Sequence, residues 1–548
     1  MKTNFITRLK KEFASFFLIV CLLFVCSCKD NGNAKNHEQP IEKEGAIIQA
    51  VTWQGIKEAA DMQSFIRQTH FSDGSHNNEK HVVGVIQSPY YHVEADGKQI
   101  PVYAVPTSEG ETHSFSTLLV NDKAFPIKLK LTVTFSAGKV TVLPESNGVK
   151  AAISGKTVEA VIPAVGSYSF IFDEKQDNAF TLFVQEHAEF MAPDGYEVVK
   201  LKPGDYGSLI AESNKVLYFE TGVHTINRIT VSNNSAVYFE PGVFLDAKQP
   251  TLAEIPTQYP DWAGQIAWGP FITGTNVSGV KIWGAALIDH TRLDWHARKG
   301  VHFTNCSNIE IDGLMINNTS EWTVTFMNCT NVAAHNLVIF GYRQNSDGIN
   351  ICSSSDAVVS DCFIRAGDDT YCVKTYATPV KTNNILFKNN ISWPDKCRGM
   401  GIIHETETDV ANVRFEHCSV AFAPATWADF LGALVIIVAG PAEVSGIYFD
   451  DIEIYNVNQY AINLTILNLD PTNTVETSYR GGQIHDVYFN NIRYNGTSPI
   501  RLCGIDEVKT IDKIYFNQIH CNGNLCASKE DLKLRTDGVI GDIYINVQ

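Results

Sequence analysis

Three carboxylates carry the chemistry this sequence offers. Asp347 stands in Asn345-Ser346-Asp347-Gly348-Ile349, and Asp368 and Asp369 follow in Ala366-Gly367-Asp368-Asp369, 21 and 22 residues later. Crowded carboxyls cannot all ionise easily, so one keeps its proton at neutral pH and can act as a general acid while its neighbours activate water. Gathering them requires a fold that returns to the same place after about that many residues. Successive parallel strands do this, because equivalent positions on them lie about 4.7–4.9 Å apart. Neighbouring residues on a strand face opposite ways, so both members of the Asp pair reach one cleft only where the backbone turns, and Gly367 is placed to permit a turn. Any one of these residues alone would read as an ordinary turn residue. It is the spacing of all three that points to acid–base hydrolysis.

The chain has the repeat such a site needs. From about Tyr196 onward, strand-like segments recur at 215–223, 236–244, 279–287, 308–316, 331–339, 356–364, 384–392, 412–420, 446–454, 486–494, 513–521 and 542–548. Most open on a polar or small residue and then alternate apolar with polar, as in Asn308-Ile309-Glu310-Ile311 and Gly446-Ile447-Tyr448-Phe449. Starts mostly roughly 23 to 29 residues apart, with variable insertions, are the pattern of a solenoid whose coils bury their inward residues on one another. Propeller blades repeat at about 40 residues or more, and a βαβ array would need amphipathic helices that are missing between the strands. The expected class is all-β: a right-handed parallel β-helix over 196–548, preceded over 46–195 by a β-sandwich domain with period-two runs and Asp-Gly and Ser-Asn-Gly turns.

The N-terminus directs the chain out of the cytoplasm. Lys2, Arg8, Lys10 and Lys11 precede an apolar run from Phe13 to Ser27, shorter than the roughly 20 residues of a membrane-spanning helix. Val25-Cys26-Ser27-Cys28 resembles a bacterial lipoprotein processing box with Cys28 as the acylated residue. Residues 1–28 are thus read as signal and lipobox, and polar residues 29–45 as a flexible tether. The expected location is the outer membrane or cell surface, otherwise the periplasm, with the membrane engaged only through the lipid on Cys28. Formal charge is −17, with 43 Lys plus Arg against 60 Asp plus Glu, which argues against a nucleic-acid partner. Cys306, Cys329 and Cys352 recur every 23 residues and suit a stack of small inward side chains, whereas Cys503, Cys521 and Cys526 could supply one disulfide. No cysteine or histidine set has zinc-ligand spacing, so neither a structural metal nor a cofactor is expected.

The segments Asn345-Ser346-Asp347-Gly348-Ile349, Gly367-Asp368-Asp369 and Cys372-Val373-Lys374 together resemble the active-site pattern of the polygalacturonase family of glycoside hydrolases, family 28. An N-terminal sandwich followed by Tyr218-Phe219-Glu220-Thr221-Gly222-Val223 and Val237-Tyr238-Phe239-Glu240-Pro241-Gly242 also resembles the related dextranase family 49. The resemblance implies hydrolysis of a glycosidic bond with inversion, Asp368 being the acid and Asp347 and Asp369 activating water. Two family features are absent. The Gly-His-Gly expected on the coil after the acidic pair reads Gly399-Met400-Gly401, and the Arg-Ile-Lys that grips a uronate carboxylate corresponds to the apolar run Ala433-Leu434-Val435-Ile436-Ile437. Burying a carboxylate without a cation is costly. The substrate is therefore a pectic galacturonan-type chain held by other cations, such as Lys374, Arg398 or Arg343, or a neutral α-glycan.

Substrate contacts are expected from Asn345, Lys374, Arg398, His404, Glu405 and Trp322. Trp262, Trp268, Trp283, Trp295, Trp322, Trp393 and Trp427 all fall in the repeat region, where connecting loops could present a sugar-stacking platform. The loops 248–270 and 421–432 are candidate walls of the cleft. Two other functions fit the same solenoid: a polysaccharide lyase, which would need calcium and a Lys or Arg base, and a glycan-binding lipoprotein without catalysis.

Overall fold

The computed structural model describes residues 43–58, 84–108, 112–248, 259–260, 266–267, 269–293, 295–378, 380–467 and 481–546. The segment read as an export signal, Cys28, most of the expected tether, Trp262 and Trp268 lie outside the described residues. Lys43–Gln548 forms one compact unit. Among the described residues, regular structure is strand except for two 3₁₀ turns, Asp122–Ala124 and Glu145–Asn147.

Two sheets of 24 and 12 strands account for most of the repeat region, parallel throughout except for the pair His520–Cys521 and Asn524–Leu525. In the smaller one, Val301–Thr304, Val324–Met327, Ile349–Cys352, Tyr371–Thr375, Met400–Thr406 and Leu434–Val438 lie side by side in that order, each pairing in parallel with the next. Each strand is thus one coil further along the chain than its neighbour, an arrangement consistent with a parallel β-helix. Ahead of it, the N-terminal region makes two further, mostly antiparallel sheets of eight and five strands.

The polar or small residue that opens most of the repeats has a conformational reason. Asn308, Asn331, Asp356, Asn384, Asn412, Gly446, Asp486 and Lys513 all have φ between 51° and 63°, the left-handed region that Asn, Asp and Gly tolerate best. The amides also link the coils: Asn331 Nδ2 donates to Asn308 Oδ1 at 2.6 Å and Asn384 Nδ2 to Asp356 Oδ1 at 2.6 Å. Apolar residues of the alternating runs then point inward and stack in columns. Phe387, Phe415, Phe449, Phe489 and Phe516 form one such column, with successive centroids 4.6, 4.9, 5.0 and 5.3 Å apart. Phe449→Ala removes the middle ring of a filled column, so urea denaturation is expected to show a loss of about 3–5 kcal/mol. A loss under about 1 kcal/mol would mean that the column does not hold the coils together.

The cysteines depart from expectation. Cys306 and Cys329 do occupy the core, but Cys352 pairs with Met327 instead of Cys329, two positions out of the column. The coil between them is longer by the turn that carries Asn345 to Asp347. Cys503, Cys521 and Cys526 are free thiols, so the disulfide that they could have supplied is not formed.

Candidate active site

One coil position supplies most of the chemistry. Val301, Val324, Ile349, Tyr371 and Met400 are aligned across five strands. The residues two places before them are Lys299, Trp322, Asp347, Asp369 and Arg398, so the turns entering five successive coils present cation, aromatic ring, two carboxylates and cation in a row. Their backbones are laddered: Thr323 N donates to Asp347 O at 2.8 Å, Gly348 N to Asp369 O at 2.8 Å and Thr370 N to Arg398 O at 3.1 Å. The expected bend at the Asp pair is present, because residues 367–370 lie between strands Phe363–Ala366 and Tyr371–Thr375. Gly367 is required by crowding: a Cβ there would lie 2.6 Å from Ser108 Oγ and 2.7 Å from Arg343 O.

The three carboxyls converge. Ligating atoms of Asp347, Asp369 and Cys372 lie within 4.8 Å of one another, as do those of Asp368, Asp369 and Cys397. Each carboxyl has its own partner. Lys374 Nζ donates to Asp347 Oδ2 at 2.9 Å, and Arg398 donates to Asp369 Oδ1 from Nε at 2.8 Å and from its backbone N at 3.0 Å. Asp368 is held instead by two backbone donors, Asn345 N to Oδ2 and Asp369 N to Oδ1, both at 3.0 Å. Asp347 and Asp369 are buried, whereas Asp368 is only partly so. Either cluster has donors for a cation, but Lys374 and Arg398 already pair with the two buried members.

Burial drives Asp347 up to about 8, against the pull of Lys374 and with added repulsion from Asp368 and Asp369. Burial also raises Asp369, with Arg398 opposing. Desolvation works against charge on Lys374, but Asp347 and Glu405 outweigh it and hold the ammonium well above the usual lysine range. Asp347 therefore retains its proton near neutrality.

Glu405 reaches the site through a bulge that the sequence does not announce. Val373 pairs with Ile402 but Thr375 pairs with Thr406, so three residues, Ile403 to Glu405, oppose Lys374 alone. His404 absorbs the bulge with φ 64°, and Glu405 Oε2 comes within 3.5 Å of Lys374 Nζ. Burial tends to raise Glu405, but Lys374 prevails and its net shift is downward. His404 itself is pushed down to about 4 by burial, so it is neutral.

Trp322 lies under both Lys374 and Lys299, whose ammonium nitrogens are 4.2 and 4.0 Å from its ring centroid. Lys299, which sequence reasoning passed over, also pairs with Glu321 at 2.9 Å. Its signal was its place two residues before an apolar strand start, the place of Asp347. Asn345, with φ 60°, turns its side chain to His296 Nε2 at 3.1 Å and lends the site its backbone. Arg343 is turned elsewhere, donating to the Leu293 and Thr291 carbonyls. Trp393 is fully buried, and Trp283 packs in a separate aromatic cluster with Tyr218 and Tyr238.

The profile of glycosyl hydrolases family 28 matches residues 242–524, more than half of the 548 residues. The chain belongs to glycosyl hydrolase family 28. Among relatives of this family 28 chain, Polygalacturonase QRT2 of Arabidopsis thaliana is 23% identical over 256 residues, 42% of this chain and 54% of that protein. Polygalacturonase-2 of Solanum lycopersicum is 25% identical over 207 residues, 36% of this chain and 42% of that protein. The chain thus spans about half the length of the curated relatives it matches. The solved structure of Dex49A from Penicillium minioluteum, at 12% identity, superposes over 90% of each chain with a TM-score of 0.53, a likeness of fold.

The two departures from the family pattern have structural explanations. Met400, where the histidine is expected, is buried in the core. Gly401 beside it admits no side chain, since a Cβ would lie 1.7 Å from Val435 O. Val435 and Ile437 pack with Cys372, Ile403, Ala439 and Leu467, and Phe430 lies against them. The segment bearing Phe430 is tied across this face: Asn463 Nδ2 donates to Asp429 O and Leu431 O at 2.9 and 2.8 Å, and Arg501 Nη1 to Asp429 O at 3.0 Å. Trp427 Nε1 donates to Lys396 O at 2.6 Å.

Proposed function

We propose that this family 28 chain is an inverting glycoside hydrolase acting on a pectic polysaccharide, exported and anchored through lipid on Cys28. The observation that carries the reading is the convergence of Asp347, Asp368 and Asp369, with the two buried members paired to Lys374 and Arg398. Asp368, the more exposed, gives its proton to the leaving oxygen; Asp347 and Asp369 hold and deprotonate water. Close packing of the trio is nearer than the roughly 6.5–9.5 Å between acid and base in most inverting glycosidases, so inversion rests here on family membership. In architecture the reading is a β-sandwich over 46–195 and a right-handed parallel β-helix over 196–548.

The substrate enters from one side. Phe430, held over Val435 and Ile437, closes the sheet face beyond Arg398, while Trp322 and Lys299 lie on the side before Asp347 and offer a stacking ring with a cation for a uronate. A cleft closed on one side favours attack at a chain end. The purified protein is to be tested on polygalacturonic acid and on neutral α-glucans, with the first product followed by NMR. The expected result is release of reducing ends with little fall in viscosity and an inverted anomer. A retained anomer, or unsaturated products whose release stops on calcium chelation, would overturn the reading.

A further inference from the structure

The coil that presents the Asp pair is built in part by the N-terminal region. Outer residues Phe340, Phe363, Trp393 and Phe422 of the repeat share one apolar core with Trp53, Tyr103, Phe115 and Phe183 of the N-terminal sheets. Within that core lies a buried polar chain. Arg365, 1% exposed, binds Asp395 from Nε at 3.0 and 3.3 Å and lies over the Trp393 ring at 4.2 Å. Its Nη1 is 3.1 Å from His113 Nδ1, and His113 Nε2 is 2.8 Å from Thr181 Oγ1, itself 2.8 Å from Ser169 Oγ. A guanidinium only donates. His113 Nδ1 must therefore accept, and Nε2 carries the proton and donates to Thr181, whose hydroxyl is hydrogen-bonded to that of Ser169. Burial, helped by Arg365, pushes His113 well below the usual histidine value and keeps the ring neutral.

The placement of this chain matters. Arg365 is three residues before Asp368, and Asp395 three before Arg398. The Arg365–Asp395 pair therefore bridges the same two coils as the Asp369–Arg398 pair and fixes their offset just before the site. Ser108 of the N-terminal region completes the clamp: its backbone N donates to Asp395 Oδ2 at 3.2 Å, its Oγ donates to Tyr342 O at 3.0 Å, and Gly367 is crowded against it.

We propose that His113 and Ser108 are positioning residues for the candidate active site, so that the N-terminal region is part of the catalytic framework and not a separable accessory module. The kinetic arm of the test rests on the proposed hydrolase reading; the structural arm does not. His113→Phe keeps a ring against Phe340, Phe363 and Trp393 but removes the acceptor, whereas His113→Asn restores an acceptor close to the Nδ1 position. In the full chain, His113→Phe is expected to raise hydrogen exchange in segments 363–370 and 395–400, leave 447–450 and 487–490 unchanged, and lower kcat on polygalacturonic acid on the order of 10–100-fold with little change in KM. His113→Asn recovers most of both. Parental exchange in the two segments, or parental kcat in folded His113→Phe, overturns the proposal. If the parent does not cleave polygalacturonic acid, the exchange arm still decides it.

Discussion

Asp368→Asn is expected to lower kcat on the natural glycan on the order of 10²–10⁴-fold with KM nearly unchanged. The carboxyl is the most accessible of the three, and both its oxygens are aimed by the Asn345 and Asp369 backbone N–H groups. An amide in its place has no acidic proton, and its NH₂ faces one of those donors. The leaving group distinguishes this role from water activation. An aryl glycoside whose phenol departs without protonation should restore much of the rate to Asp368→Asn. Asp369→Asn should stay slow on both substrates, because water still lacks its base. Equal losses for both variants on both substrates would remove the division of labour proposed here. Since burial holds Asp347 up to about 8, parental kcat is also expected to rise as pH rises toward about 8, where Asp347 gives up its proton and can take one from water.

What could be read from the chain follows from what is local and periodic. Asp347, Asp368 and Asp369 were legible because a coil's length is written in the spacing of its apolar runs, and the polar or small residue opening most of the runs marks a left-handed turn, as at Asn331 and Asn384. Arg398 could be named but not paired, since nothing in the sequence says that it enters its coil where Asp369 enters the preceding one. Glu405 could be named as a substrate contact, but its place beside Lys374 was out of reach for a different reason: a bulge shifts register by residues that have no composition of their own. Whether Cys503, Cys521 and Cys526 form a bridge was not legible, because proximity in sequence does not set Cα geometry. His113 and Ser108 lie 252 and 287 residues from their partners Arg365 and Asp395, and such a contact has no periodic signal.

Lys374→Met tests the electrostatics of the site most severely. It removes the cation between Asp347 at 2.9 Å and Glu405 at 3.5 Å, and stranding a buried charge costs about 3–5 kcal/mol. Asp347 escapes that cost by holding its proton. A carboxyl with a raised folded-state pKa binds a proton that the unfolded chain has released, so stability falls as pH rises through the window between the two values. In the parent that window runs from 3.8 to about 8; without Lys374 its upper end moves higher. The stability gap between parent and variant, from urea titrations, should therefore widen above about pH 8. At neutral pH kcat should fall on the order of 10²–10³-fold, as a protonated Asp347 cannot take a proton from water. Adding Asp347→Asn removes the other member of the pair and should restore much of the stability lost above about pH 8 while activity stays lost. A double variant no more stable than Lys374→Met would show that the ion pair does not set the energetics of the buried carboxyls, and recovery of activity with stability would remove Asp347 from the chemistry.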